Sequence, residues 1–218
     1  MLMLSKLLKS VELFKGIATP DLQCLLTKVG AAPAHAKKGT IILLAGDQPK
    51  HMGIVLTGQV HTFRENYDGS RSLLAVALAG DVFAESMYCA GLSKSLLTLE
   101  AAADSTIMLL DFLRILRTCP NSCPSHAKLV ENMLRLIAGR NLMLQHRMGI
   151  ISLKSIRAKV MRYLESLAPK QSRDITIPFN REELANYLCV ERSALSHELA
   201  RMRKDGLIDY KKNVFTLK

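Results

Sequence analysis

Cys119 and Cys123 stand four residues apart, and His126 follows three residues later. Two thiolates and an imidazole at that spacing can hold a metal or act as a redox pair, because the positive end of a helix favours a thiolate. Zinc asks for a fourth ligand, and none stands nearby in the sequence, so no metal ligand is assigned. The third reading is structural: a turn bracketed by Pro120 and Pro124, in which the cysteines pack and Ser125 caps the helix that follows.

A second cluster lies near the C-terminus. Arg192, Ser193, Ser196 and His197 fall on one side of a short amphipathic segment whose other side carries Leu195, Leu199 and Met202. Arginine can pair with guanine O6 and N7, and hydroxyls can bond to donors or acceptors on a base edge. Arg201, Lys204, Lys211 and Lys212 are placed for phosphates.

The surrounding residues specify the elements that would hold this cluster. Asn180-Arg181-Glu182-Glu183 is a capping-box variant, in which the Asn side chain and the Glu three residues on satisfy each other's backbone donors. It starts a helix over Arg181–Leu188, with Leu184, Ala185 and Leu188 on one face. Cys189-Val190-Glu191 breaks it, and a second helix runs from about Arg192 to Lys204, ending at Gly206. Two short helices, a tight turn and a small residue at the crossing make a helix-turn-helix. Two β-prone runs, Leu207–Tyr210 and Val214–Leu217, flank Lys211-Lys212-Asn213 and read as a hairpin wing with a basic tip. The plainer alternative is a winged helix that contacts only protein, its charge solvated.

Charge separates the two halves of the chain. Of its 218 residues, 1–125 hold 12 basic and 10 acidic side chains, while 126–218 hold 18 and 9. A basic C-terminal half beside a near-neutral N-terminal half points to one segment that meets a polyanion and another with a different task. No apolar run is long enough for a transmembrane helix, and Met1-Leu2-Met3-Leu4 is too short for a signal peptide. The reading is a cytoplasmic protein with reduced thiols and no membrane partner. No metal-hydrolase spacing, phosphate-binding glycine loop or nucleophile elbow appears, so an enzyme is not expected.

Between Gly39 and Asp111 the texture is short β-prone runs, such as Thr40–Leu44, Gly53–Leu56, Ser72–Val76 and Thr106–Leu110, separated by turn glycines. That pattern predicts an antiparallel sandwich or barrel. Before it, Thr19-Pro20-Asp21 reads as a helix start, with Thr19 as cap and the helix running to about Lys28. After it, Val130, Leu134, Ile137, Asn141, Leu144, Met148 and Ile151 step by fours and threes over His126–Ile151, a heptad seam. Asn141 would face its own copy in a parallel dimer and fix register. The alternative is a single helix packing on its own domain, and Met133, Met143 and Met148 read as packing. Ser155 to about Ser166 is another amphipathic helix, followed by a polar linker over 168–173.

The chain resembles bacterial transcription regulators of the cyclic-AMP receptor protein/FNR (Crp/Fnr) family over nearly its whole length. The N-terminal match rests on Leu13-Phe14-Lys15-Gly16-Ile17, the Gly58, Gly69 and Gly80 turns, and Gly80-Asp81-Val82-Phe83-Ala84-Glu85. The C-terminal match rests on Arg181-Glu182-Glu183-Leu184-Ala185 and Arg192-Ser193-Ala194-Leu195-Ser196. The resemblance implies an α+β chain: an antiparallel β-roll (a jelly roll like that of cyclic-nucleotide-binding domains) over 1–125, a dimerisation helix over 126–151, and a winged helix-turn-helix over 152–218. It also implies a homodimer on double-stranded DNA, reading a palindrome with half-sites one turn apart, and a contact with RNA polymerase.

The departures bear on the effector. In cyclic-nucleotide-binding members a Glu after the Gly-Asp turn holds the ribose and an Arg-Ser pair holds the phosphate. Glu85 is present, but the following stretch has no Arg; Lys94 with Ser95 is the nearest substitute, and Lys lacks the bidentate fork. The helix over 126–151 has no Ser or Thr for the base. Cyclic AMP is therefore not expected, and Glu85 reads as a structural turn residue. Oxygen-sensing relatives hold an iron–sulfur cluster through N-terminal cysteines, and only Cys24 lies in the first 80 residues. That cluster is not expected either. Haem-binding relatives use a histidine of the roll; His51 and His61 are read here as solvent-facing or satisfied. The cofactor stays unassigned. The expectation is an effector-controlled, sequence-specific DNA-binding regulator. Its competitors are a ligand sensor with a protein-contact output and a thiol-redox switch using Cys119 and Cys123.

Overall fold

The computed structural model of the chain describes residues 7–111, 113–114, 124–168 and 174–218. They form two compact units, Met1–Ala138 and Gly139–Lys218, and the divide falls inside one long helix.

In the first unit, helix α1 (Thr19–Lys28) precedes strands β1 (Ala32–Ala36), β2 (Ile41–Leu43), β3 (Met52–Thr57), β4 (Gln59–Glu65), β5 (Arg71–Leu78) and β6 (Val82–Phe83). The short helix α2 (Glu85–Cys89) follows, then β7 (Thr98–Ala101) and β8 (Ser105–Leu110). The strands make two four-stranded sheets, in the orders β1-β8-β3-β6 and β2-β7-β4-β5, with antiparallel pairing throughout. Pro33 sits in β1, at the end of its sheet, where a missing N–H interrupts no second ladder.

Five consecutive residues of β3, Met52 to Leu56, are buried because both faces of its sheet are covered. Val55 joins Val60, Phe83, Leu99 and Ile107 between the sheets. Met52, Ile54, Met108 and Leu110 meet Leu22, Leu25, Leu129, Met133 and Leu136 on the other side. Full burial of each such side chain contributes about 1.5–3 kcal/mol. Gly53 is required within β3: a Cβ there would lie 2.0 Å from the Phe83 ring. Gly58, at φ +84°, turns β3 into β4 with Ser105 Oγ 2.2 Å from where its Cβ would be.

Two details of the helices differ from expectation. Ala18, not Thr19, is the cap of α1 and makes no side-chain bond; Pro20 in the first turn sets the start instead. The long helix α3 (Pro124–Ile151) begins one residue before Ser125, so Ser125 lies inside the first turn. Its hydroxyl donates to Asp21 Oδ2 at 2.6 Å, joining α3 to α1. Asn132 of α3 donates to the carbonyls of Leu13 (3.0 Å) and Lys15 (2.8 Å), pinning the helix to the turn over Glu12–Phe14.

In the second unit, α4 (Ile156–Leu167) is capped by Ser155, whose hydroxyl accepts from Ala158 N at 3.1 Å. Strand β9 (Asp174–Thr176), helices α5 (Arg181–Leu188) and α6 (Arg192–Lys204), and strands β10 (Ile208–Lys211) and β11 (Val214–Leu217) complete it. The strands pair antiparallel in the order β10-β11-β9. Val160, Leu164, Leu184, Leu188, Leu195, Leu199, Met202 and Phe215 form the core.

Candidate nucleic-acid interface

The capping box is complete: Asn180 Oδ1 accepts from Glu183 N at 2.9 Å, and Asn180 N donates to Glu183 Oε2 at 2.7 Å. Helix α5 ends at Cys189, which takes the left-handed conformation at φ +51° and turns the chain within two further residues into α6. Leu184, Ala185, Leu195 and Leu199 are buried together, so the small Ala185 side chain allows the two helices to meet closely.

Burial of Leu195, Leu199 and Met202 leaves the opposite flank of α6 in solvent. Arg192, Ser193, Ser196 and His197 are all exposed there, as are Arg201 and Lys204 further along. Lys211 ends β10, and Lys212, at φ +55°, forms the turn of the wing with Asn213; all three are exposed. The hydroxyls are not free donors: Ser196 Oγ donates to Arg192 O at 3.0 Å, and Ser193 Oγ donates to the Glu191 carboxylate. Glu191 is the cap of α6, and its Oε2 also accepts from Ala194 N at 3.0 Å. These bonds, the Ser193 hydroxyl first, hold the Glu191 carboxyl below the usual carboxylate pKa, so it is charged at neutral pH.

Much of the basic character of this unit is structural. Arg157 on α4 pairs with Glu198 (2.6 Å) and Asp205 (2.7 Å) on and just after α6. Arg203 pairs with Asp209 at 2.8 Å and lies over the Tyr210 ring. Arg181 covers Tyr210 and Phe215 and donates to Lys212 O at 3.3 Å, fastening α5 to the wing. Arg147 donates to Tyr187 O (3.2 Å) and Lys159 to Leu188 O (3.2 Å), two cations at the negative C-terminal end of α5. A charge count cannot separate these side chains from Arg192, Lys204, Lys211 and Lys212. Sequence reasoning also missed Glu191, because Glu is not among the side chains favoured at caps.

In the roll, the three residues at the effector positions that the resemblance implies differ in exposure. Glu85 and Ser95 are buried and Lys94 is exposed. Glu85 Oε1 accepts from Ser86 Oγ at 2.9 Å. The Ser95 hydroxyl is engaged within its own loop, donating to Leu97 O (2.6 Å) and accepting from Leu97 N (3.2 Å). The backbone of Ser95 is bonded to Gly46 N and Asp47 O. A cavity of about 540 Å³ is lined by Ile42, Leu43, Phe83, Leu99 and Leu109 with the exposed Asp47, Lys50 and His51; Glu85, Lys94 and Ser95 do not line it. His61 packs edge-on against Phe63.

Cys119 and Cys123 lie outside the described residues. Among the described residues no three His, Cys, Asp or Glu side chains gather as a metal site. Cys24 is exposed on α1. His126 is buried with neither ring nitrogen bonded among the described residues, and burial, then the charge of Lys28, lowers its pKa.

The heptad positions split. Val130 and Ile137 are half-buried against the roll's core and Ile151 is half-buried, while Leu134, Asn141, Leu144 and Met148 are exposed. Asn141 Oδ1 accepts from Gln145 Nε2 at 3.1 Å. Met133 packs in the core, but Met143 and Met148 are 73% and 65% exposed, contrary to their reading as packing residues. Among the described residues no helix is long and apolar enough to cross a membrane.

Residues 33–119 match the family model of the cyclic nucleotide-binding domain, and residues 158–218 that of the Crp-like helix-turn-helix domain. The "Probable transcriptional regulator flp" of Lacticaseibacillus casei is 29% identical over 178 residues, 80% of this chain and 78% of that protein. The fumarate and nitrate reduction regulatory protein of Salmonella typhi is 21% identical over 187 residues, 83% and 72% of the two chains. Among solved structures, the c-di-GMP-responsive global regulator CLP of Xanthomonas campestris shares the fold with a TM-score of 0.61 at 16% identity, covering 92% of this chain and 99% of that one.

Proposed function

The chain belongs to the Crp/Fnr family of transcription regulators, and from that premise we propose a cytoplasmic homodimer that reads a palindromic operator through the exposed flank of α6. The work divides as sensing by residues 1–125, dimerisation by 126–151 and DNA reading by 152–218. The observation that carries this is the composition of that flank. Arg192 and His197 offer donors, Ser193 and Ser196 offer acceptors, and none of the four is covered by protein. Arg201, Lys204, Lys211 and Lys212 supply the sequence-independent hold on phosphates.

Dimerisation follows from the four exposed heptad positions of α3, three of them large and apolar. An apolar stripe with one central Asn suits a two-stranded parallel pair. Two copies so joined present two α6 helices, and a twofold protein pairs with a twofold site whose half-site centres lie about 10–10.5 base pairs apart. A contact with RNA polymerase would follow from regulation at a promoter.

The residues present do not fit a cyclic nucleotide. No guanidinium stands between Glu85 and Leu97, the Ser95 hydroxyl is engaged in its own loop, and the one hydroxyl of α3, that of Ser125, donates to Asp21, leaving none over 126–151 for the base. On this reading cyclic AMP leaves the thermal midpoint unmoved, whereas a ligand near 100 times its Kd would add about 2.7 kcal/mol. The proposal as a whole is tested by enriching bound duplexes from a randomised pool with the full-length protein. A twofold-symmetric motif with that spacing supports it; no enrichment even at low salt refutes it.

A further inference from the structure

The cavity of about 540 Å³ in the first unit lies apart from Glu85, Lys94 and Ser95, none of which lines it. Part of its wall is apolar: Leu43 of β2, Phe83 of β6 and Leu99 of β7, all members of the cluster packed between the two sheets. Its rim is charged, because Asp47, Lys50 and His51 line it from the connection between β2 and β3, and all three are exposed. That connection is fixed through its backbone. Gly46 N donates to Ser95 O at 2.8 Å, Ser95 N donates to Asp47 O at 2.6 Å, and Ala45 N donates to Thr98 Oγ1 at 3.2 Å. Pro49, in the middle of the loop, is buried. The charged side chains are left uncommitted: among the described residues neither the Asp47 carboxylate nor the Lys50 ammonium has a hydrogen bond or an ion pair. A rim already ordered in this way demands little further ordering when a ligand arrives.

Two opposite charges beside an apolar wall narrow the choice of ligand. Asp47 and Lys50 are three residues apart, a span of at most about 11 Å of chain, so one small molecule can meet both. A simple carboxylic acid suits Lys50 but is repelled by Asp47, and a phosphate or a dicarboxylate is repelled more. An amine suits Asp47 and is repelled by Lys50. An uncharged apolar molecule meets neither charge. A zwitterion with a large apolar substituent matches all three features. We propose that the cavity binds a free α-amino acid with a large apolar side chain. Its carboxylate meets Lys50, with His51 as a second donor, its ammonium meets Asp47, and its side chain lies against Leu43, Phe83 and Leu99. The volume falls within the range of about 300–1,000 Å³ usual for small-molecule sites. This rests on the reading of residues 1–125 as the sensing unit and names the class of molecule sensed.

The test is calorimetry on the full-length protein without DNA, titrated with phenylalanine, with hydrocinnamate (which lacks the ammonium), with phenethylamine (which lacks the carboxylate) and with glycine. Phenylalanine binds more tightly than either phenyl analogue by about two- to fivefold, the range of one exposed ion pair, and glycine, without a side chain for the wall, gives no heat. D47N weakens phenylalanine by that same factor and does not weaken hydrocinnamate. K50Q weakens phenylalanine and hydrocinnamate and does not weaken phenethylamine. Both positions are exposed and carry no bond among the described residues, so the variants leave the fold in place. Equal affinities for the three phenyl compounds, affinities unchanged in both variants, or no binding of phenylalanine at millimolar concentration each overturn the proposal. Because no DNA is present, such a failure removes the ligand class alone and leaves the reading of α6 standing.

Discussion

Arg157 Nε donates to Glu198 Oε1 at 2.6 Å, tying α4 to α6 one residue beyond His197. The same guanidinium reaches Asp205 at 2.7 Å, just past the end of α6. One planar side chain therefore grips α6 at two points about two turns apart. Both carboxylates hold the Arg157 pKa above its usual value.

We expect R157E to lower affinity for the selected operator far more than for a scrambled duplex, because α6 is then free to shift. The pairing R157E/E198R restores part of the specificity, and R157K, which keeps charge without the fork, restores less. Binding titrations on the two duplexes at one salt concentration check this. Equal losses on both would assign Arg157 to general charge.

The exposed stripe of α3 makes a separate prediction. L134E combined with L144E places like charges along the proposed seam and yields a monomer by light scattering at micromolar concentration. Affinity for the symmetric operator falls, while that for an isolated half-site stays within about twofold, since α5, α6 and the wing keep their sequence. A dimeric mass for the double variant would place the dimer contact elsewhere.

His126 gives a pH dependence with a defined sign. Burial, then the charge of Lys28, lowers its pKa below the ordinary 6.5. The unfolded chain binds a proton that the folded chain refuses. This contribution to stability is therefore full above about pH 6.5 and declines as pH falls below it. The thermal midpoint of wild type should drop between about pH 7 and pH 5 more steeply than that of H126L. Parallel curves would show that the ring titrates in solvent.

Tyr88 anchors the end of the roll: its hydroxyl donates to Asp111 and accepts from Leu113 N at 3.1 Å. Burial, then the Asp111 bond, raises its pKa to about 12. Y88F leaves the ring packed and removes only the hydroxyl, at a cost of about 1–2 kcal/mol by denaturant titration. A loss below a few tenths would mean that water replaces the bond.

The C-terminal half was legible because its signals are local. A capping box, a small residue at the crossing, a glycine after Lys204 and two alternating runs placed α5, α6 and the wing with the bounds observed for both helices. The roll was legible only as a class. Strands such as β4, Gln59–Glu65, are polar and half-buried, and their pairing is set by cross-strand contacts far apart in sequence. Residue types alone also left Glu85, Lys94 and Ser95 looking alike as effector contacts, although backbone bonds fold Ser95 inward and leave Lys94 outside. Arg157, Arg203 and Glu191 escaped for the converse reason: what fixes their roles is a partner's geometry, which no spacing rule encodes.

The most direct test of the account compares wild type and R192A on the selected operator and on a scrambled duplex of equal length, at one fixed salt concentration. A base-reading Arg192 predicts a loss of about 1–3 kcal/mol on the operator and almost none on the scrambled duplex. Equal losses on both, or no loss on either, would contradict the claim that α6 reads DNA sequence.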